Sequence, residues 1–174
     1  MNFFESFVPS GDLDQRPYLR SLIALAIGAV LSHMLTAPAV TSRIGILPFV
    51  ITQLAILWWW YALIMKRMRN AERSFLGVTA VSLIDLFALL LLSVMLLLQF
   101  SDTSAGAAAP YLPASISLLI YPFVFLFNLV TGPAANSQDL QVALLALAVV
   151  APVVLTIFYS LWAAAQPSAL HAHD

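Results

Sequence analysis

The chain has 174 residues, of which 62% are hydrophobic and only 9% are charged. A soluble domain has about 45–50% apolar and about 25% charged residues, so a soluble fold is excluded and lipid is the expected solvent. The net charge of -1 argues against nucleic-acid binding, and the absence of cysteine excludes disulfides, thiolate metal sites and cysteine nucleophiles.

Five apolar runs are long enough, or nearly so, to cross a hydrocarbon core of about 30 Å. Because backbone groups in lipid must bond to one another, each run is expected to be helical. The predicted spans are 18–37, 44–65, 75–100, 114–130 and 140–164. The sequence thus predicts one all-α membrane domain over residues 1–174, a bundle of five transmembrane helices. Residues 1–16 are predicted to be a cytoplasmic or interfacial leader and 165–174 a tail.

The cations predict the orientation of this bundle, because six of the seven fall on one side of it. These six are Arg16, Arg20, Lys66, Arg67, Arg69 and Arg73, and the opposite side has only Arg43. Short loops rich in Lys and Arg stay in the cytoplasm. The amino terminus is therefore predicted to be cytoplasmic in a bacterial inner membrane, with the carboxyl terminus outside after five crossings. If spans four and five form one re-entrant hairpin instead, the tail lies inside.

An aromatic run stands directly before the charged loop. Trp58, Trp59 and Trp60 have amphipathic rings that suit the lipid headgroup level, although such a run can also bind a quinone or a pigment. The loop cations are expected to attract anionic headgroups at the cytoplasmic face, by about 1 kcal/mol each. These cations are Lys66, Arg67, Arg69 and Arg73. Docking of an acidic partner protein is the alternative.

Asp85 is the most unusual residue, because it lies near the middle of the third span. An acid at that depth costs at least about 2.5–3.5 kcal/mol and must face protein, find a partner or carry a proton. Gln53 of the second span is expected at a similar depth, bonded to Asp85 directly or through water. Ser82 lies one turn before Asp85 on the same face. This polar pair could be interhelical glue, a proton or ion relay, or a ligand contact.

Small residues recur at four-residue intervals in the first span, at Ala24, Gly28 and Ser32. This spacing lets helix backbones approach closely. The partner helix could be span two, span three or another protein. His33, near the outer end of the same span, is expected to form an interfacial hydrogen bond.

The charged loop and the approach to the first span share an order of residues with a known family. After the aromatic run, the family order R-R-L-H-D-x-x-R-S is followed by Lys66, Arg67, Met68, Arg69, Asn70, Arg73 and Ser74. Before the first span, Gly11 and Tyr18 match the spacing of a G-R-x-x-R-x-x-Y-W segment. Over about residues 11–100 the chain thus resembles the YhaH-like family of small bacterial inner-membrane proteins of unknown function.

Three departures from that family pattern bear on function. Asp12 stands where Arg is usual, Leu19 where Trp is usual, and Arg69-Asn70 where His-Asp is usual. If the His-Asp pair carries an activity in the family, this chain lacks the pair. The resemblance implies a small inner-membrane protein and no particular reaction, and the fourth and fifth spans look like an addition to it.

No catalytic spacing emerges from the sequence. It contains no phosphate-binding glycine loop, no G-x-S-x-G, no H-E-x-x-H and no paired carboxylates, so no enzyme, cofactor or metal is predicted. The leading expectation is a non-catalytic accessory or structural subunit that associates laterally with a larger membrane complex or with itself. The alternative is a proton- or ion-coupled carrier or channel that uses Asp85 and Gln53. A lipid- or quinone-handling enzyme is a third class.

Overall fold

The computed structural model describes residues 11, 13–102, 115–116, 120, 123–125, 127 and 137–167, with side chains except at 98–102 and 137–142. Within them the chain forms α1 (Gln15–Ser32), a 3-10 turn (His33–Thr36), α2 (Pro38–Ile44), α3 (Leu47–Asn70), α4 (Leu76–Asp102) and α5 (Ser137–Ala165). No strand occurs in this part of the chain, so the all-helical prediction is confirmed.

Four helical segments of the described chain are long and apolar enough to cross a membrane. They are Gln15–Thr36, Leu47–Asn70, Leu76–Leu97 and Ala143–Ala165. These match four of the predicted spans to within about five residues at each end. The remaining predicted span, 114–130, is described only at seven positions, and the leader and the end of the tail lie outside the described residues. A fifth crossing is therefore not shown.

Proline and glycine set the boundaries between α1 and α3. Ala37 is extended, with φ -63° and ψ 141°, because the following proline disfavours helical geometry there, and Pro38 then begins α2. Gly45 ends α2 with φ 70°, a conformation that favours glycine. Pro48 lies in the first turn of α3, where a missing N–H costs nothing. The short helix α2 was not predicted.

Hydrogen bonds place the start of α1 and the ends of α3 and α5 at one end of the bundle. The Tyr18 hydroxyl donates to the carbonyl oxygen of Ser160 over 3.1 Å. The side-chain amide of Asn70 donates to the carbonyl oxygen of Leu13 over 3.1 Å. Because α4 begins directly after α3, it also starts at this end, and it packs against α5. We call this end, which holds the loop between α3 and α4, the charged end.

This arrangement corrects the predicted direction of the last span relative to the first. The residues that end α5 lie at the same end as those that begin α1, whereas five single crossings place them on opposite sides. Four alternating helices, α1, α3, α4 and α5, produce the observed geometry. A single full crossing by 114–130, the shortest of the predicted spans, does not fit it. The predicted re-entrant hairpin of spans four and five does not fit it either, because span five is itself a helix of spanning length, Ala143–Ala165.

The buried core is divided into two clusters along the bundle axis. The charged-end cluster contains Leu13, Tyr18, Leu25, Trp60, Leu63, Ile64, Met68, Val78, Ala163 and Ala164. The far-end cluster contains Ile46, Phe49, Leu92, Leu96 and Val149. A cavity lies between the two clusters.

Candidate functional site

The cavity has a volume of about 600 Å³ and is lined by all four spanning helices. Its walls are mostly leucine, isoleucine, valine and alanine side chains. The side chains with polar atoms that line it are His33, Gln53, Trp60, Asp85, Thr156 and Ser160. An apolar cavity of this size with a few convergent polar groups is the usual form of a small-molecule site.

Asp85 faces this cavity and is held by α5. The Thr156 hydroxyl donates to Oδ2 of the Asp85 carboxyl over 2.5 Å. Ser82, predicted to share this polar site, donates instead to the carbonyl oxygen of Val78 in its own helix over 2.8 Å and does not line the cavity. The acid is thus paired across the α4–α5 interface.

Gln53 lines the same cavity but bonds to α1. Its Nε2 donates to the Ser32 hydroxyl oxygen over 2.8 Å, and that hydroxyl donates to the carbonyl oxygen of Ala29 over 2.6 Å. The predicted direct bond between Gln53 and Asp85 is absent from the described contacts, and each residue has its own partner on another helix.

A difference in depth explains why the predicted pair has no direct bond. The Trp60 indole donates to the Ser160 hydroxyl over 2.8 Å, and Ser160 lies one turn nearer the charged end than Thr156. Gln53 precedes Trp60 by about two turns of α3. It is therefore about one turn, roughly 5 Å, farther from the charged end than Asp85. Both residues still face one cavity.

A polar stripe on α5 connects the cavity with the charged-end cluster. Ser160 donates to the carbonyl oxygen of Thr156 over 2.6 Å, accepts from Trp60 and receives the Tyr18 hydroxyl on its backbone oxygen. The sequence reasoning missed Thr156, Ser160 and Tyr18 as site residues. The signal was present, because two hydroxyls four residues apart in an apolar helix lie on one face.

Arg67 corrects one part of the headgroup prediction. Its side chain is 1% exposed, its Nε donates to the carbonyl oxygen of Ala163 over 3.2 Å, and a second guanidinium nitrogen donates to that of Gln166. A cation suits the last turn of a helix, where carbonyls lack partners and the dipole is negative. Lys66 is also buried, at 4% exposure. Neither residue is available to headgroups.

The three tryptophans of the aromatic run also differ in how far they are buried. Trp58 is 52% exposed and Trp59 is partly buried, but Trp60 is buried at 2% and belongs to the charged-end cluster. Trp60 is thus a core residue and a wall of the cavity. Consecutive helical residues point about 100° apart, so three neighbouring rings cannot all face lipid.

The other cations of the charged end are exposed. They are Arg16, Arg20, Arg69 and Arg73. The predicted contact with anionic lipid stays a prediction for Arg69 and Arg73.

The small residues of α1 divide between two environments. Ser32 is buried and bonds to Gln53. Ala24 is exposed, and a Cβ added at Gly28 would meet no atom within 4 Å. The outward part of the stripe is thus not used for packing among the described residues.

His33 forms the interfacial hydrogen bond predicted for it. Its Nδ1 and the Ser115 hydroxyl are 2.8 Å apart, and the Thr36 hydroxyl is 2.8 Å from the same Ser115 oxygen. The imidazole also contacts the ring of Phe49, with centroids 5.6 Å apart. Because His33 bonds to Ser115 and Asp85 bonds to Thr156, the described polar residues do not form a nucleophile–base–acid relay.

The described residues contain no group of three or more His, Cys, Asp and Glu side chains that could hold a metal ion. No family model, curated protein or solved structure matches the chain. The resemblance to the YhaH-like family therefore stays a prediction.

Proposed function

We propose that this chain is a non-catalytic membrane protein that binds a small molecule in the cavity between its two core clusters. Asp85, Gln53 and His33 would contact the polar part of that molecule, and the apolar walls would hold the remainder. The observation that supports this proposal is that one cavity of about 600 Å³ collects polar residues from the 3-10 turn after α1 and from α3, α4 and α5.

Filling the cavity tests the proposal. Ala29 lines the cavity, whereas Ala24 is exposed on the same helix, one turn and a half earlier. In native mass spectrometry of the protein released from membranes, an added mass is expected on wild type and on Ala24→Phe, and none on Ala29→Phe. The absence of any bound mass on wild type, or its retention on Ala29→Phe, would contradict the proposal.

Lateral association as an accessory subunit is the second candidate, and the open surface over Gly28 favours it. A partner helix could approach α1 closely at this face, because Ala24 is exposed beside it. For lateral association, the expected effects of these two variants are the reverse of those expected for ligand binding. Ala24→Phe should abolish co-purification of a stoichiometric partner in mild detergent, and Ala29→Phe should preserve it. The reverse result would refute lateral association through this face.

A proton- or ion-coupled carrier is a further alternative, and the shared cavity of Asp85 and Gln53 is its support. Asp85→Asn keeps an acceptor for Thr156 but cannot exchange a proton. If transport coupled to protons exists, this variant should lose it in reconstituted vesicles while ligand binding persists.

We further propose a bacterial inner membrane with the charged end in the cytoplasm. The exposed Arg16, Arg20, Arg69 and Arg73 lie at that end and support this orientation. They would also hold the protein against anionic headgroups. Binding of the reconstituted protein to anionic rather than neutral lipid, compared between wild type and Arg69→Gln/Arg73→Gln, tests this contact.

A further inference from the structure

We infer that the ligand enters from the bilayer, between α1 and α5, and that it is a lipophilic amine or alcohol whose polar end donates hydrogen bonds and carries no negative charge. This inference rests on the proposed function, because it names the substrate class of the same cavity. It follows from where the cavity is closed, where it is open and which polar atoms remain unbonded.

Side chains close the cavity along the bundle axis. Toward the charged end, Tyr18, Leu63 and Ile64 are 0% exposed. Toward the far end, Phe49 and Leu96 are 0% exposed. Interiors packed in this way leave no voids wide enough for a file of water. The described residues therefore provide no route for an aqueous ion, which argues against the channel.

The cavity is open at the side of the bundle between α1 and α5, unlike at its two ends. Val30 of α1 and Val153 and Ile157 of α5 line the cavity, yet they are 64%, 47% and 56% exposed. A residue that faces both the cavity and the exterior marks an opening. At this depth the exterior is hydrocarbon, because these residues lie within the spans. A ligand dissolved in the bilayer can reach the cavity without crossing water.

The unbonded polar atoms in the cavity wall are acceptors. Thr156 occupies Oδ2 of Asp85, and among the described residues Oδ1 has no partner. The Ser32 hydroxyl donates to Ala29, so it must accept from the Gln53 amide nitrogen, which leaves the amide oxygen without a described partner. Both oxygens keep accessible surface. A ligand with N–H or O–H groups complements them.

The charged groups that line the cavity restrict the class of ligand further. No lysine or arginine lines the cavity, and its one histidine, His33, is bonded through Nδ1 to Ser115, so an anionic headgroup would meet Asp85 without a lysine or arginine to compensate it. An ammonium group would instead pair with the carboxylate. The volume of about 600 Å³ fits one molecule of ordinary ligand size, in the range of about 300–1,000 Å³.

Three photoreactive probes of equal chain length test this inference: a primary amine, an alcohol and a carboxylic acid, each with a diazirine in its chain. The full chain is reconstituted in neutral lipid nanodiscs, and labelled peptides are mapped by mass spectrometry. The amine should label the cavity walls of α1 and α5 at least about tenfold more than the acid, with the alcohol between them. Asp85→Asn should reduce the preference for the amine over the alcohol.

The opening has its own variant and control. Ile157→Trp narrows the opening and should slow labelling, whereas Phe158→Trp alters a 69% exposed neighbour that does not line the cavity and should not. Equal effects of the two variants would refute the lateral route. If amine and acid label the cavity equally, the ligand class is wrong while the proposed function stands. If Ala29→Phe leaves all labelling unchanged, the cavity is not a site and the proposed function fails.

Discussion

At the scale of single residues, the pair of Asp85 and Thr156 is the contact that makes an acid tolerable in the bilayer. Thr156→Val should destabilise the protein by about 1–3 kcal/mol, because the carboxylate loses its donor in an apolar surrounding. Thermal unfolding in detergent measures the effect. Thr79→Val is the control, because its hydroxyl bonds only to Phe75 of its own helix at an exposed site. Equal shifts for both variants would count against a special role for the pair.

Arg67 provides a second test at this scale. Arg67→Leu should cost about 1.5–3 kcal/mol, because the last carbonyls of α5 lose a charged donor in a buried site. Arg69→Leu, at an exposed position two residues away, should stay within about 0.5 kcal/mol. Denaturant unfolding of the two variants provides the comparison. A small effect of Arg67→Leu would mean that the end of α5 is held by other contacts.

The sequence predicted the residues of the site more accurately than it predicted their hydrogen-bond partners. Asp85 and Gln53 stand out because polar residues are rare in apolar runs, and both do line the cavity. Their partners, Thr156 and Ser32, depend on the relative depth of four helices, and no local pattern encodes that depth. For the same reason Arg67, predicted for headgroups, caps α5, whose end was predicted to lie on the other side of the membrane.

At the scale of elements, apolar length predicted four helices well, because lipid leaves the backbone no alternative to a helix. The end of α3 was predicted at residue 65, but the helix continues to Asn70. By hydropathy alone, charged residues mark the end of a span. Here Lys66 and Arg67 are folded into the bundle, and so the helix extends through them.

The contact between α4 and α5 is close at one glycine. A Cβ at Gly77 would lie 2.6 Å from the Tyr159 hydroxyl oxygen, so Gly77→Ala should destabilise by about 1 kcal/mol, which Tyr159→Phe in the same chain should partly recover. Gly28→Ala is the matched control, because it meets open space and should be neutral or stabilising. Unfolding midpoints of the four proteins test this packing. Destabilisation by Gly28→Ala that equals that of Gly77→Ala would contradict it.

At the scale of the whole molecule, the direction of α5 determines which side chains meet in the site. Because α5 ends at the charged end, Thr156 reaches Asp85 and Ser160 reaches Trp60. An α5 of opposite direction would bring neither hydroxyl to its partner. The number of crossings could not be predicted from apolar length alone, since an apolar run of 17 residues such as 114–130 is compatible with a span or with a hairpin arm.

Single-cysteine labelling tests this direction most directly, because the chain has no cysteine of its own. Three single-cysteine variants are reacted with a membrane-impermeant maleimide, in intact cells and in inverted vesicles. They are Arg69→Cys, Pro167→Cys and Arg43→Cys. Positions 69 and 167 should react only in inverted vesicles, and position 43 only in intact cells. If position 167 reacts from the side opposite to position 69, α5 runs the other way, and the cavity with its Asp85–Thr156 pair does not exist as described.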